Sequence, residues 1–197
     1  SYGKNNSGSG ERVLVEWVSA NPTGDLHCGH ARNAAWGDSI CRLMELSGYD
    51  VLREYYVNDA GIQIVKLGES LVARYFEHFG RASDYPLPED GYHAEDVKNI
   101  ADAIAAEDGD KWLDADPDER LHYFMQTGKT RELEKINRDL ELYRVRITSW
   151  MHETFFYENN KKRINDCLAL MDSKGLLYEK DGALWFKSTD YGDEKDR

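Results

Sequence analysis

From Val13 to Val18 the apolar positions Val13, Leu14, Val15, Trp17 and Val18 run almost without a break, which predicts a strand covered on both faces. Glu16 interrupts it. Beyond the polar stretch Ser19–His30, apolar and small residues at Ala31, Ala34, Ala35, Ile40, Leu43, Met44 and Leu46 recur at helical spacing, and Gly48 stands where a left-handed terminator is expected. A helix over Ala31–Ser47 follows. Val51–Val57 reads as a second strand, and Ala60–Phe79 as a second helix whose apolar face includes Ile64, Leu67, Leu71, Ala73, Tyr75 and Phe76. Strand, helix, strand, helix is the opening of a doubly wound α/β sheet.

After Gly80 no further long apolar strand is predicted, and the chain turns acidic and helical. Pro86, Pro88 and Gly91 mark a loop, and Val97, Ile100, Ala101 and Ile104 share one face of the next helix. Asp116-Pro117-Asp118-Glu119 is a strong helix start. That helix should run to about Ile147, weakened at Gly128, with Leu121, Phe124, Met125, Leu133, Ile136, Leu140 and Tyr143 inward. A third helix near Asn160–Ser173 ends at Gly175. Lys180-Asp181-Gly182 between Leu176–Glu179 and Ala183–Lys187 signals a hairpin. The expected division is a loosely attached leader over residues 1–10, the first half of the nucleotide-binding domain over 11–80, and a mainly helical insertion over 81–197 ending in the hairpin.

Composition changes this picture little. The 197 residues are 41% apolar and 31% charged, with four prolines, and so belong to the folded globular class. No run reaches the ~18 apolar residues of a membrane span, and no secretory leader opens the sequence. Cys28, Cys41 and Cys167 are too few and scattered for a disulfide framework. A cytoplasmic protein is expected. The net charge of −12 speaks against an extended nucleic-acid surface; residues 1–75 carry −2 of it and residues 76–197 carry −10.

The chemistry concentrates in Ser19-Ala20-Asn21-Pro22-Thr23-Gly24-Asp25-Leu26-His27-Cys28-Gly29-His30. A strand leading through a tight loop into a helix is where open α/β sheets bind nucleotides, and a helix N-terminus favours phosphate. His27 and His30 can donate to phosphate oxygens, while Gly29 allows close backbone approach. A metal reading fails on ligand count, because no second Cys/His pair follows. Cys28 reads as a small hydrophobe. Glu16 is open between a half-exposed strand-end carboxylate and a buried one that meets a cation. Local turn hydrogen bonding would also account for Ser19 and Asn21. Asp59 and Gln63 remain unassigned. Trp150, Phe155, Phe156 and Tyr157 read as insertion core, and Arg144, Arg146, Lys161, Lys162 and Arg163 as solvated helix surface.

H-x-G-H resembles the signature of class I aminoacyl-tRNA synthetases and related nucleotidyltransferases. The run from Val15 to Arg32, with Arg53-Glu54-Tyr55-Tyr56-Val57-Asn58-Asp59-Ala60-Gly61, Glu179-Lys180-Asp181-Gly182-Ala183-Leu184-Trp185-Phe186 and Tyr191-Gly192-Asp193-Glu194-Lys195-Asp196-Arg197, is similar to the bacterial-type arginyl-tRNA synthetase family over nearly the whole chain. The resemblance implies the first half of a Rossmann-like (HUP-type) catalytic domain plus a connective-peptide insertion. It implies ATP and Mg²⁺ as substrate and cofactor, and L-arginine and tRNA(Arg) as partners of the full-length enzyme. His27 and His30 become the catalytic pair. Thr23, Gly24, His27, Gly29 and His30 face ATP; Glu16, Ser19, Asn21 and His30 contact arginine, Glu16 through the guanidinium and Asn21 at the α-amino end. Asn33 departs from the pattern, standing where many relatives carry glycine. No lysine-rich catalytic loop, second sheet half or anticodon-binding domain is found in residues 1–197, so the chain by itself is expected to form no arginyl-adenylate. A monomer without membrane association is expected. The alternatives are a small H-x-G-H nucleotidyltransferase, which leaves the long insertion unexplained, and a non-catalytic binding module derived from a synthetase.

Overall fold

The computed structural model describes residues 2–197. They form two compact units, one ending at Glu153 and one spanning Thr154–Arg197. The break at residue 80 expected from composition therefore does not coincide with the boundary between the units. In the first, β1 (Arg12–Glu16), α1 (Cys28–Leu46), β2 (Asp50–Val57), α2 (Ile62–His78), α3 (Glu95–Asp108), α4 (Pro117–Leu142) and β3 (Ser149–His152) follow in order. The sheet is parallel throughout with β2 central, in register Arg12↔Asp50 to Glu16↔Glu54 and Glu54↔Ser149 to Val57↔His152.

β3 is an addition to the sequence reading. Ser149-Trp150-Met151-His152 is too short to signal a strand, yet the chain returns after three helices to pair with β2. Trp150, expected among insertion aromatics, stacks instead on the fully buried Tyr55 of β2 at a centroid distance of 4.6 Å. The aromatic overlap fixes the strand where its short ladder gives little.

The sheet is covered on one face only among the described residues, which corrects the expectation for β1. Its residues alternate between exposed and half-buried, and Leu14 and Leu52 lie side by side in the register and open to solvent. The covered face carries a core of Trp17, Ala34, Cys41, Tyr55, Val57, Ile136, Leu140 and Val145. α1 meets it through Ala34, Gly37, Asp38 and Cys41, not through the larger apolar residues. Trp17 is the reason: a Cβ on Gly37 would overlap its ring, so only a small residue lets the helix approach. Trp36, Ile40, Leu43 and Leu46 of the same helix consequently point to solvent.

The second core lies between α2, α3 and α4 and is built on Leu67, Leu71, Tyr75, Val97, Ile104, Trp112 and Phe124. Every residue assigned to the inward face of α2 is buried. Gly68 and Gly128 set the α2–α4 spacing, because a Cβ on either would overlap Met125 or Leu71 respectively. Gly128 thus serves packing, and α4 runs through it without a break. Asp116 caps α4 through hydrogen bonds of 3.0 Å from the Asp118 and Glu119 amides, with Pro117 in the first turn. α4 stops at Leu142, short of Ile147, because Arg144 turns left-handed (φ 61°) and directs Val145 into the sheet core. Tyr143 is 52% exposed and so is not part of that core.

Residues 5–10 are docked, in place of a loose leader: the Asn5, Gly8 and Gly10 amides donate to the carbonyls of Leu46, Ser47 and Gly48. Within the second unit, α5 (Glu158–Ser173) precedes the hairpin of β4 (Leu177–Lys180) and β5 (Ala183–Phe186). Asn159, Asn160 and Lys161 are left-handed, so the regular part of α5 begins after them. The hairpin turns on Asp181 (φ 55°) and Gly182 (φ 76°), the conformations that an Asp-Gly two-residue turn favours. Among the described residues no helix is long and apolar enough to cross a membrane.

Candidate functional site

The carboxyl ends of β1, β2 and β3 open on one edge of the sheet, and the polar sequence stretch leaves from the first of them. His27 is the N-cap of α1, with φ −114° and ψ 174°. Its Nδ1 accepts the Gly29 amide at 3.0 Å, while Nδ1 of His30 accepts the His27 amide at 3.2 Å. This is a capping box in which both side chains are imidazoles. The rings stack 3.7 Å apart with 20° between their planes. A Cβ on Gly29 would come within 2.8 Å of His27 Cε1, so glycine is what lets the first ring fold over the helix start.

The cap fixes the tautomers. A ring nitrogen that accepts from a backbone N–H carries no proton, so in each neutral ring the proton sits on Nε2. Two Nε2–H donors are left unused by the helix, beside a helix N-terminus with its positive dipole end. Burial, and secondarily the nearby His27, lower the His30 pKa from its ordinary 6.5, which favours the neutral, capping form.

The loop between β1 and α1 is tied to its neighbours at each step. Ser19 Oγ donates to Glu16 Oε1 at 2.6 Å and accepts the Tyr56 amide at 3.0 Å. Tyr55 Oη donates to the Ala20 carbonyl at 2.8 Å, and Asn21 Oδ1 accepts from Asn58 Nδ2 at 3.1 Å. The Thr23 amide closes a turn on the Asn21 carbonyl, and Gly24 lies beside Asp96 of α3. Glu16 is exposed at the strand end. It is therefore the strand-end carboxylate of the first alternative and not the buried one of the second. Ser19, Asn21, Thr23, Gly24, His27, Gly29 and His30 follow it along one short path, with His27 and His30 in direct contact.

Several neighbours escaped the sequence reading. Glu54 is the register partner of Glu16 and so stands on the same sheet face, accepting from Ser149 Oγ at 3.1 Å. Asp59, buried, takes hydrogen bonds from Lys129 of α4 (3.3 Å) and pairs with His152 of β3 (2.9 Å), which gives that unassigned residue a place joining three elements. Gln63 is exposed on the first turn of α2. Lys135 of α4 reaches Asp25 (2.9 Å), Asp96 (3.2 Å) and the fully buried Glu132 (2.7 Å), tying the loop before His27 to both long helices. Burial alone would lower the Lys135 pKa, but hydrogen bonds to Glu132 and Asp25 raise it. Burial raises that of Glu132. Apart from Glu132 and Lys135, neighbours on one helix, the members of these pairs lie tens of residues apart and only the fold brings them together.

The arrangement can present two neutral hydrogen-bond donors to an anion beside a carboxylate-bearing loop. The chain is 53% identical over 196 residues to an arginine–tRNA ligase of Bacillus licheniformis and 51% identical over 196 residues to one of Geobacillus kaustophilus, all of this chain being covered in both. It spans 34% of the length of each of these relatives. A Campylobacter jejuni crystal structure assigned to an arginyl-tRNA synthetase superposes with a TM-score of 0.85 at 34% identity, covering 100% of this chain and 42% of that one. The family model for the class I (R) tRNA synthetase catalytic domain matches residues 1–196. With the strand-loop-helix path and its paired imidazoles, these matches place the chain in the class I arginyl-tRNA synthetase family, as part of its catalytic domain.

Proposed function

We propose that this chain carries the ATP and arginine sites of an arginine–tRNA ligase, which activates L-arginine with ATP and passes it to tRNA(Arg) in the full-length enzyme. The single observation that supports this best is the double imidazole cap of α1, with both Nδ1 atoms engaged by backbone amides and both Nε2–H groups unused by the helix. In the first step the arginine carboxylate attacks the ATP α-phosphorus, a P–O bond forms, and the bond to the bridging oxygen breaks to release pyrophosphate. Charge grows on the non-bridging oxygens, where His27 and His30 donate; such preplaced donors act most strongly in the transition state. Thr23 and Gly24 offer backbone to the nucleotide, and Gly29 lets it approach. In the second step a terminal ribose hydroxyl of tRNA attacks the arginyl carbonyl and AMP leaves.

Glu16 would pair with the substrate guanidinium, next to Ser19; Asn21 would read the α-amino end and His30 border both substrates. Mg²⁺ would accompany the ATP phosphates. Among the described residues no group of three or more His, Cys, Asp or Glu is placed to hold a metal, so no side chain is assigned to it. A monomeric, cytoplasmic enzyme completes the proposal. The nucleotidyltransferase and binding-module alternatives are not favoured, since the family match runs over the helical residues as well.

The substrate assignment is tested by Glu16→Gln in the full-length enzyme. A charge-assisted pair contributes ~1.5–3 kcal/mol, so the arginine KM is expected to rise about 10- to 100-fold while the ATP KM stays within twofold. Aminoacylation kinetics at varied arginine read this out. An unchanged arginine KM would remove Glu16 from the pocket.

A further inference from the structure

The loop after β1 adopts a conformation its own residues disfavour. Val18 has φ 65° and Ser19 φ 40°, the left-handed region that a β-branched valine rarely enters. The Val18 amide is met from a distance of fifteen residues: it donates to Asn33 Oδ1 at 2.7 Å. Asn33 sits on α1, one turn beyond His30, and its side chain is exposed. From Val18 onward the loop bends so that Ser19 Oγ bridges Glu16 Oε1 and the Tyr56 amide. The acceptor on Asn33 therefore stands directly upstream of the hydrogen bonds that orient Glu16 and Ser19.

We propose that Asn33 is a positioning residue for arginine binding: its side-chain oxygen holds the strained Val18–Ser19 turn in the shape that presents Glu16 and Ser19 to the substrate. This rests on the assignment of Glu16 and Ser19 to the arginine pocket. Glycine or alanine at this place would offer no side-chain acceptor, so the Val18 amide depends on Asn33 for this support. The helix itself has no use for asparagine. Alanine is the better helix former, and Asn33 is exposed.

The variants Asn33→Ala and Asn33→Asp separate positioning from folding, because aspartate keeps the acceptor and alanine does not. In the full-length enzyme, N33A is expected to raise the arginine KM about tenfold, the loss anticipated for an unmade hydrogen bond on a strained loop. The ATP KM should stay within twofold and the melting temperature should not fall. N33D should restore the arginine KM to within about threefold of the parent, as expected of a retained acceptor. An unchanged arginine KM in N33A overturns the proposal, as does N33D impaired as much as N33A, or ATP and arginine KM values rising together. Glu16→Gln run beside them tells the two levels apart. If E16Q raises the arginine KM and N33A does not, Asn33 alone loses its role; if E16Q has no effect, the pocket assignment fails and Asn33 with it.

Discussion

His30→Ala in the full-length enzyme is expected to lower kcat for arginine activation by about 10²- to 10³-fold, the effect of losing one preplaced donor to a developing oxyanion. His27→Ala should fall in the same range, with a stability cost of about 1 kcal/mol for the lost N-cap. The two effects separate in His27→Asn, because asparagine can still accept the Gly29 amide and cap the helix. It should regain the stability but only part of the rate. The acid limb gives a second readout. Protonating Nδ1 of His30 would break its hydrogen bond with the His27 amide. The folded pKa of His30 lies below 6.5, so the unfolded chain binds its proton first. Stability from the neutral ring is therefore complete above about pH 6.5 and is lost as pH falls through the lower folded value. Pre-steady-state adenylate formation from pH 5 to 8 should show the rate falling on the acid side. Loss of less than fivefold in H30A would remove the imidazoles from the chemistry.

Arg53→Met is expected to be the most destabilising single change in the sheet. Arg53 is 5% exposed on β2, donating to Asp38 at 2.5 Å and, through Nε and Nη2, to both Glu45 oxygens at 2.9 and 3.0 Å. Asp38 is itself 7% exposed on the buried side of α1. Burial pushes its carboxyl pKa up, but hydrogen bonds from Arg42 and Arg53 outweigh this and hold it below 3.8. The pair thus contributes stability above about pH 4, lost as acid protonates Asp38. Removing the cation leaves Asp38 with Arg42 alone, and breaking a buried pair costs about 3–5 kcal/mol. Urea unfolding should show this, with Arg53→Lys keeping the charge but losing the two-pronged Glu45 contact and recovering only part. A loss below about 1 kcal/mol would mean that Asp38 is adequately held by Arg42.

Arg53 and Asp38 also mark where the sequence misleads. Of the expected α1 face (Ala31, Ala34, Ala35, Ile40, Leu43, Met44 and Leu46) only Ala34 is buried; the helix buries Gly37, Asp38 and Cys41 beside it, because Trp17 demands small neighbours and Arg53 demands an acid. Hydropathy registers neither demand. α2 was legible because its inward face is large and apolar, and α4 and the hairpin began where capping and turn chemistry placed them. β3 was not, since four residues with no alternation draw their place from Tyr55 and from pairing with β2. At the site, the grouping of His27, Gly29 and His30 at the start of a helix was legible in the strand-loop-helix pattern around them, not in their spacing alone. Glu54, Asn58, Lys135 and the acceptor on Asn33 could not, because what they do depends on partners brought near by the fold.

The most direct test is arginine-dependent exchange of labelled pyrophosphate into ATP by the full-length enzyme with tRNA(Arg) present, each of the twenty amino acids being supplied singly. Arginine alone should support exchange, and H30A should abolish most of it. Exchange driven by another amino acid, or exchange that survives in H30A, would contradict the assignment of these imidazoles and their loop to arginine activation.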